Sequence, residues 1–306
     1  MLSFSTNWNA GRQHDGAAII REIQDMGFIQ IELGHGLSVS QLHGIREAYA
    51  KGKGGFSVTS VHNFCPMPLE VLHDNPDCYE FTSHRPHERE RALRLTRETM
   101  VTAREFGARH VVLHLGRIIP LRGMTDFLIN ELRKKGVTDR DYCRAKLAAV
   151  QKREKPARVF LDRVTRVLET LVEEASKMDL TLVVENRSDF EAIPTERELI
   201  ALLEHFDSPH LRYWHDFGHA QLRDNLGLLD HAQWIAEIAP FAVGAHLQDA
   251  KWPDEDHLIP FEGEIPFDRL VPLLPSSLCY TLELSPKAKP DAILASVARW
   301  EALVQP

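Results

Sequence analysis

The chain has 306 residues, 43% of them hydrophobic, which is enough to fill one large core. Its formal net charge of −8 and pI of about 6.1 exclude a general electrostatic attraction to nucleic acid or to an anionic membrane. The four cysteines, Cys65, Cys78, Cys143 and Cys279, are scattered and form no CxxC pair, so neither a thiolate zinc site nor a disulfide framework is indicated.

Short β-branched or apolar runs alternate with longer amphipathic stretches. Residues 2–7 (LSFSTN) read as a first strand, and Asp15 as the N-cap of a helix reaching Met26. FIQIEL (28–33) is a second strand, followed by a helix over 38–51. FSVTSVH (56–62) is a third strand. Ser83 to Phe106 is a long charged stretch of helical period that Gly107 ends. RHVVLHL (109–115) is a fourth strand. Residues 117–155 break the rhythm with turn sequence and two basic segments, one at Lys134 and Lys135 and one at QKREK (151–155). They read as a helical insertion, and residues 158–178 continue as a strongly periodic helix. LTLVVEN (180–186) is a fifth strand, 195–206 a helix, LRYWHDF (211–217) a sixth strand and 228–239 a helix. FAVGAHLQ (241–248) is a seventh strand, 249–265 a polar loop and 266–274 a short helix. LCYTLELS (278–285) is an eighth strand, and a helix over 290–304 closes the chain.

Eight strands, each followed by helical sequence, predict an α/β fold. It is a (β/α)8 TIM barrel with a helical insertion after strand 4, one domain over 1–306 with the insertion at 117–155. No GxGxxG or GxxxxGK[ST] loop follows a strand, which argues against a nucleotide-binding sheet. The first residues lack the basic and apolar regions of a signal peptide, and no apolar run approaches the ~20 residues of a membrane helix. A cytoplasmic protein without a membrane partner is therefore expected, and a homo-oligomer is compatible with the sequence.

The chemistry lies at the strand ends. Strand three ends in His62, strand four in His114 and strand five in Glu185. Strand six carries Asp216, with His219 three residues on; strand seven carries His246, with Asp249 three residues on; strand eight carries Glu283. In a barrel these positions converge on the C-terminal rim. Parallel strands buried on both faces should be almost wholly apolar, so ionisable residues there are costly unless a cation compensates them. Imidazole and carboxylate without thiolate suit a divalent ion such as zinc, manganese or cobalt. Taken alone, His62 or His114 is more often a hydrogen-bonded residue than a ligand. Glu185 in VVEN and Glu283 in TLELS are harder to explain so, since each sits in apolar strand sequence. Trp8, Trp214 and Trp252 are candidates to line a sugar pocket, although core packing is the commoner use of tryptophan. Cys65 reads as a packed residue, with no partner to activate it.

In order and spacing, GFIQIEL, SVHNF, VVLHLG, VVENR, HDFGH, GAHLQDAK, EGEIPF and LELSP resemble the xylose-isomerase-like TIM-barrel superfamily. That superfamily holds sugar-phosphate isomerases and epimerases, inosose dehydratases and endonuclease IV. The resemblance to its ketose 3-epimerases implies one divalent metal held by Glu185, Asp216, His246 and Glu283, with the two glutamates as the acid/base pair. The resemblance to endonuclease IV implies two or three zinc ions. His62 and His114 would be further ligands, Asp216 and His219 would match its DxxH, and Glu255 and His257 its loop DxH, with Glu255 in place of the usual Asp.

The leading expectation is a metal-dependent sugar or sugar-phosphate isomerase or epimerase. It would transfer a proton at a carbon next to a metal-bound carbonyl, through Glu185 and Glu283. His219, Arg187, Asp249 and Lys251 or Lys287 would hold oxygens of a small carbohydrate. One alternative is a multi-zinc phosphodiester hydrolase, in which His62, His114, His219, Glu255 and His257 all serve metals. The loops LGHGLS and HNFCPMP lack the intercalating Arg and Tyr of the endonuclease, which with the acidic balance argues against nucleic acid. The other alternative is a non-catalytic metal-binding barrel whose basic segment at 133–155 meets a partner.

Overall fold

The computed structural model describes residues 2–50, 55–73 and 75–304. Eight parallel strands close into a barrel in the order β1-β10-β7-β6-β5-β4-β3-β2. The strands are β1 (Leu2–Ser5), β2 (Gln30–Leu33), β3 (Ser57–His62), β4 (His110–Leu113), β5 (Thr181–Glu185), β6 (Leu211–Asp216), β7 (Ala242–Leu247) and β10 (Cys279–Leu282). An antiparallel hairpin of β8 (Asp249–Lys251) and β9 (Glu255–Leu258) stands outside it. Around the barrel run α1 (Gly16–Asp25), α2 (Val39–Ala50), α3 (Pro86–Glu105), α4 (Met124–Lys135) and α5 (Arg140–Lys177). They are followed by α6 (Glu196–Phe206), α7 (Phe217–Asn225), α8 (His231–Ile238), α9 (Phe267–Leu270) and α10 (Pro290–Val304). The expected (β/α)8 barrel is thus the observed fold. No helix among the described residues is long and apolar enough to cross a membrane.

Local chemistry starts the helices where the sequence places them. The Asp15 carboxylate accepts from Ala17 N at the head of α1. Thr195 and Glu198 form a reciprocal capping box at the head of α6.

Three expectations need correction. The insertion does not end at 155: its second helix continues as α5 straight through Pro156 to Lys177. Proline normally breaks a helix interior. Here the buried face Ala149, Arg153, Ala157, Phe160, Val164, Leu168 and Leu171 keeps helical spacing across it, and that packing prevails. The 249–265 stretch is not a plain loop, because it carries the β8–β9 hairpin. Finally, the sixth strand ends at Asp216 and not at Phe217, and α7 starts directly after it, well before the helix expected at 228–239.

The barrel interior explains where charge can sit. Side chains alternate along a strand, so the residue two before each rim residue shares its face. Val112, Val183 and Trp214 pack as one buried cluster inside the barrel, two residues before His114, Glu185 and Asp216. Gly244, two residues before His246, leaves room for the indole: a Cβ there would lie 2.0 Å from a Trp214 ring carbon. Trp214 is therefore a barrel plug, 5.5 Å from the His246 ring, and not a pocket wall. Trp8 is also buried, donating its indole N–H to Ala288 O, while Trp252 is half exposed.

Candidate metal centre and active site

The rim residues meet above the plug. One ligand atom each from Glu185, Asp216, His246 and Glu283 lies within 4.8 Å of all the others, and all four residues are buried. His246 organises them. Its Nε2 stands 3.2 Å from Glu32 Oε2, which also accepts from Ser60 Oγ at 2.7 Å. A carboxylate accepts only, so Nε2 carries a proton toward Glu32 and Nδ1 is the nitrogen left facing the other way. Nδ1 lies 3.0 Å from Glu283 Oε2, 3.5 Å from Glu185 Oε1 and 3.7 Å from Asp216 Oδ2. It is buried and makes no hydrogen bond. A ring nitrogen aimed at three carboxylates, whose proton a divalent ion would displace, fits a cation, and a carboxylate behind the imidazole is the usual support of a metal-binding histidine. The donor set suits a hard or borderline divalent ion.

The surrounding residues set each ligand's angle. Asn186, directly after Glu185, ties β5 to the start of α7. Its Oδ1 accepts from Asp216 N at 2.7 Å, and its Nδ2 donates to Asp216 O at 3.0 Å. Asp216 Oδ1 accepts from His219 N at 2.7 Å, capping α7, while Oδ2 accepts from Gln248 Nε2 at 2.8 Å. Gly218 lets Gln248 this close, since a Cβ there would meet the amide oxygen at 2.4 Å. Asn7 Nδ2 donates to Glu283 Oε1 at 2.8 Å, and Gly34 makes room for that amide.

A second group shares Glu185. Its Oε2 lies 3.1 Å from His62 Nε2 and 3.0 Å from His114 Nε2. The Nδ1 of His62 faces the carbonyl of Asn63, and the Nδ1 of His114 faces Asp77 Oδ1. Arg187 Nη1 is 2.8 Å from His114 Nε2, and Asp77 holds both Arg187 and Arg117.

The electrostatics follow from this crowding. Burial alone would push Glu185 up, yet the imidazoles of His114 and His246 hold its carboxyl well below the usual carboxylate range. Glu283 is likewise held low, against burial, chiefly by His246. Asp216 is raised, first by burial and then by the neighbouring Glu185. Burial pulls His246 down, but Glu283, Glu32 and Glu185 together raise it well above the usual imidazole value. His219 is pulled down by burial and pushed up by Asp216, to about 9.

The other expected site residues lie in different settings. His219 joins the centre, its Nδ1 being 3.0 Å from Asn186 O and 3.1 Å from Glu185 Oε1. His257 lines a cavity of about 330 Å³ at the rim with Asn7, His35, Asp256 and Glu283. Glu255 is exposed on the hairpin, and Asp256 is the carboxylate that meets His257, at 2.8 Å. Asp249 is buried against backbone. Its oxygens accept from Ala250, Gly263 and Ile265 N–H groups, pinning the 263–265 segment. Lys251 is exposed, opposite Glu255 in the hairpin register. Arg187 is committed to Asp77 and His114. Three contributors escape the sequence reading: Glu32, Asp77 and Gln248.

The sequence profile of the xylose isomerase-like TIM barrel family matches residues 20–277. The chain belongs to this family. Solved structures agree on the fold of this xylose isomerase-like barrel. A D-tagatose 3-epimerase-like protein superposes with a TM-score of 0.69 at 17% identity, covering 99% of this chain and 96% of that one. The 3-keto-D-glucoside 4-epimerase of E. coli gives 0.68 at 14% identity, with 98% of each chain covered. An L-ribulose 3-epimerase gives 0.67 at 15% identity, covering 99% of this chain and 93% of that one. Among curated proteins, none matches significantly.

Proposed function

We propose that the protein is a metal-dependent sugar isomerase or epimerase that moves a proton at a carbon beside the carbonyl of a small carbohydrate or its phosphate. The observation that carries this reading is the orphaned, buried His246 Nδ1 converging with the carboxylates of Glu185, Asp216 and Glu283. The fold shared with three sugar epimerases, or epimerase-like proteins, supports it. A divalent ion of the zinc, manganese or cobalt type, held by these four residues, would supply Lewis-acid polarisation of a carbonyl and its neighbouring hydroxyl.

The chain's own residues then handle the proton. Glu185 on β5 and Glu283 at the end of β10 approach the centre from either side of β6 and β7. A substrate seated between them meets a carboxylate on each face. Removing a carbon-bound proton needs an ionised carboxylate, and the imidazoles keep both glutamates ionised. His219 Nδ1, 3.1 Å from Glu185 Oε1, lies beside the carboxylate that takes up the proton. The 330 Å³ cavity over Glu283, with polar walls from Asn7, His35 and His257, suits a sugar-sized ligand. Glu255, turned outward on the hairpin, speaks against a third ion and hence against the multi-zinc hydrolase.

Full-length protein loaded with Mn²⁺ should exchange the carbon-bound hydrogen of a ketose for solvent deuterium, followed by proton NMR. E185Q should lose this exchange by at least about 100-fold, the low end of what a positioned base supplies, without unfolding. Undiminished exchange in E185Q overturns the assigned base. No exchange by the wild type on any of a panel of ketopentoses and ketohexoses overturns the function.

A further inference from the structure

The group beside the metal centre looks incomplete in charge until its hydrogen atoms are counted. Asn63 O and Asp77 Oδ1 are acceptors, so each fixes a proton on Nδ1 of its histidine, His62 or His114. The Nε2 atoms of both rings then face Glu185 Oε2 at 3.1 and 3.0 Å. His62 meets the carboxylate with its ring N–H, whereas His114 Nε2 and Glu185 Oε2 are two acceptors 3.0 Å apart in a buried space, which calls for a donor or a cation beside them. His62, His114 and Glu185 also have the right composition and spacing to bind a metal ion.

The cation found there is organic. The Arg187 Nη1 donates to His114 Nε2 at 2.8 Å and lies 3.8 Å from Glu185 Oε1. Its guanidinium cannot swing away cheaply. Asp77 Oδ2 holds its Nη2 at 3.4 Å, and Asp77 is itself held by His114 and Arg117. A lone pair occupied by an N–H is not available to a metal, and a fixed positive charge at that distance repels a second divalent ion.

We infer that the Arg187 guanidinium takes the place of a second cation, so that this barrel holds one metal ion, at Glu185, Asp216, His246 and Glu283, and that removing the guanidinium opens a second metal site at His62, His114 and Glu185. The inference rests on the metal centre proposed above. It assigns Arg187 to setting the number of ions, and so to favouring one-metal proton transfer over two-metal hydrolysis, not to gripping an anionic substrate.

The test counts ions. Full-length protein is saturated with Zn²⁺, desalted, and analysed for zinc per chain by mass spectrometry. Wild type and R187K, which retains the charge, should hold one ion. R187M should hold two, and the double variant R187M/H114A should return to one. R187Q, which keeps a polar side chain of similar length, repeats the R187M measurement with less disturbance of the fold. Two ions in the wild type overturn the inference, as does a single ion in both R187M and R187Q. A wild type that takes up no zinc instead overturns the metal centre itself.

Discussion

A histidine buried among carboxylates can serve as their counter-ion or as a metal ligand, and its second nitrogen decides between them. In His246 that nitrogen is held by Glu32, which leaves Nδ1 facing three carboxylates with no hydrogen bond. Glu32 is thus a positioning residue. E32A should weaken Mn²⁺ binding by about 10- to 100-fold, the usual cost of losing such a support. E32Q, whose amide oxygen still accepts from Nε2, should recover part of the loss. Titration of the metal-free protein measures both, and unchanged affinity in E32A contradicts the role. Glu32 was legible in principle. It lies in the apolar run FIQIEL, and the reasoning that selects Glu185 and Glu283 applies to it equally. Asp77 was not, because nothing in HDNPDCYE separates a buried, ion-paired aspartate from a solvated one.

At the scale of elements, the strands were legible because burial on both faces enforces apolar runs, and the rim residues stood out as exceptions to them. What the sequence hid was the junctions. The HDFGH segment reads as the end of a strand, yet Asp216 closes β6 and caps α7 with the same carboxylate that faces the metal centre. The long α5 was hidden by Pro156, whose local preference yields to a continuous buried face. Asp249 and Lys251 have surroundings that the sequence does not reveal. Position after a strand puts a residue near the rim, but the β8–β9 hairpin turns Lys251 outward, and Asp249 is consumed by three backbone N–H groups.

For the whole molecule, the proposed metal centre would couple stability to protons and metal. Burial lowers His219, but Asp216 raises it above the ordinary imidazole value, to about 9. A raised imidazole contributes stability that is fully present below its unfolded value and is lost as pH rises through the folded one. His62 and His246 shift in the same direction. The metal-free protein should therefore lose melting temperature between pH 6.5 and pH 9.5, and H219Q should flatten that slope. A wild-type melting temperature that is flat or rising over this range contradicts the coupling. Metal should bind more tightly as pH rises, since it displaces these protons.

In the proposed site, four residues from four successive barrel strands hold one ion through the Nδ1 face of His246. Anomalous diffraction from crystals of the full-length protein grown with Mn²⁺ tests it most directly. A single peak is expected within bonding distance of Glu185, Asp216, His246 Nδ1 and Glu283. No peak at these residues, or one only between His62 and His114, contradicts it.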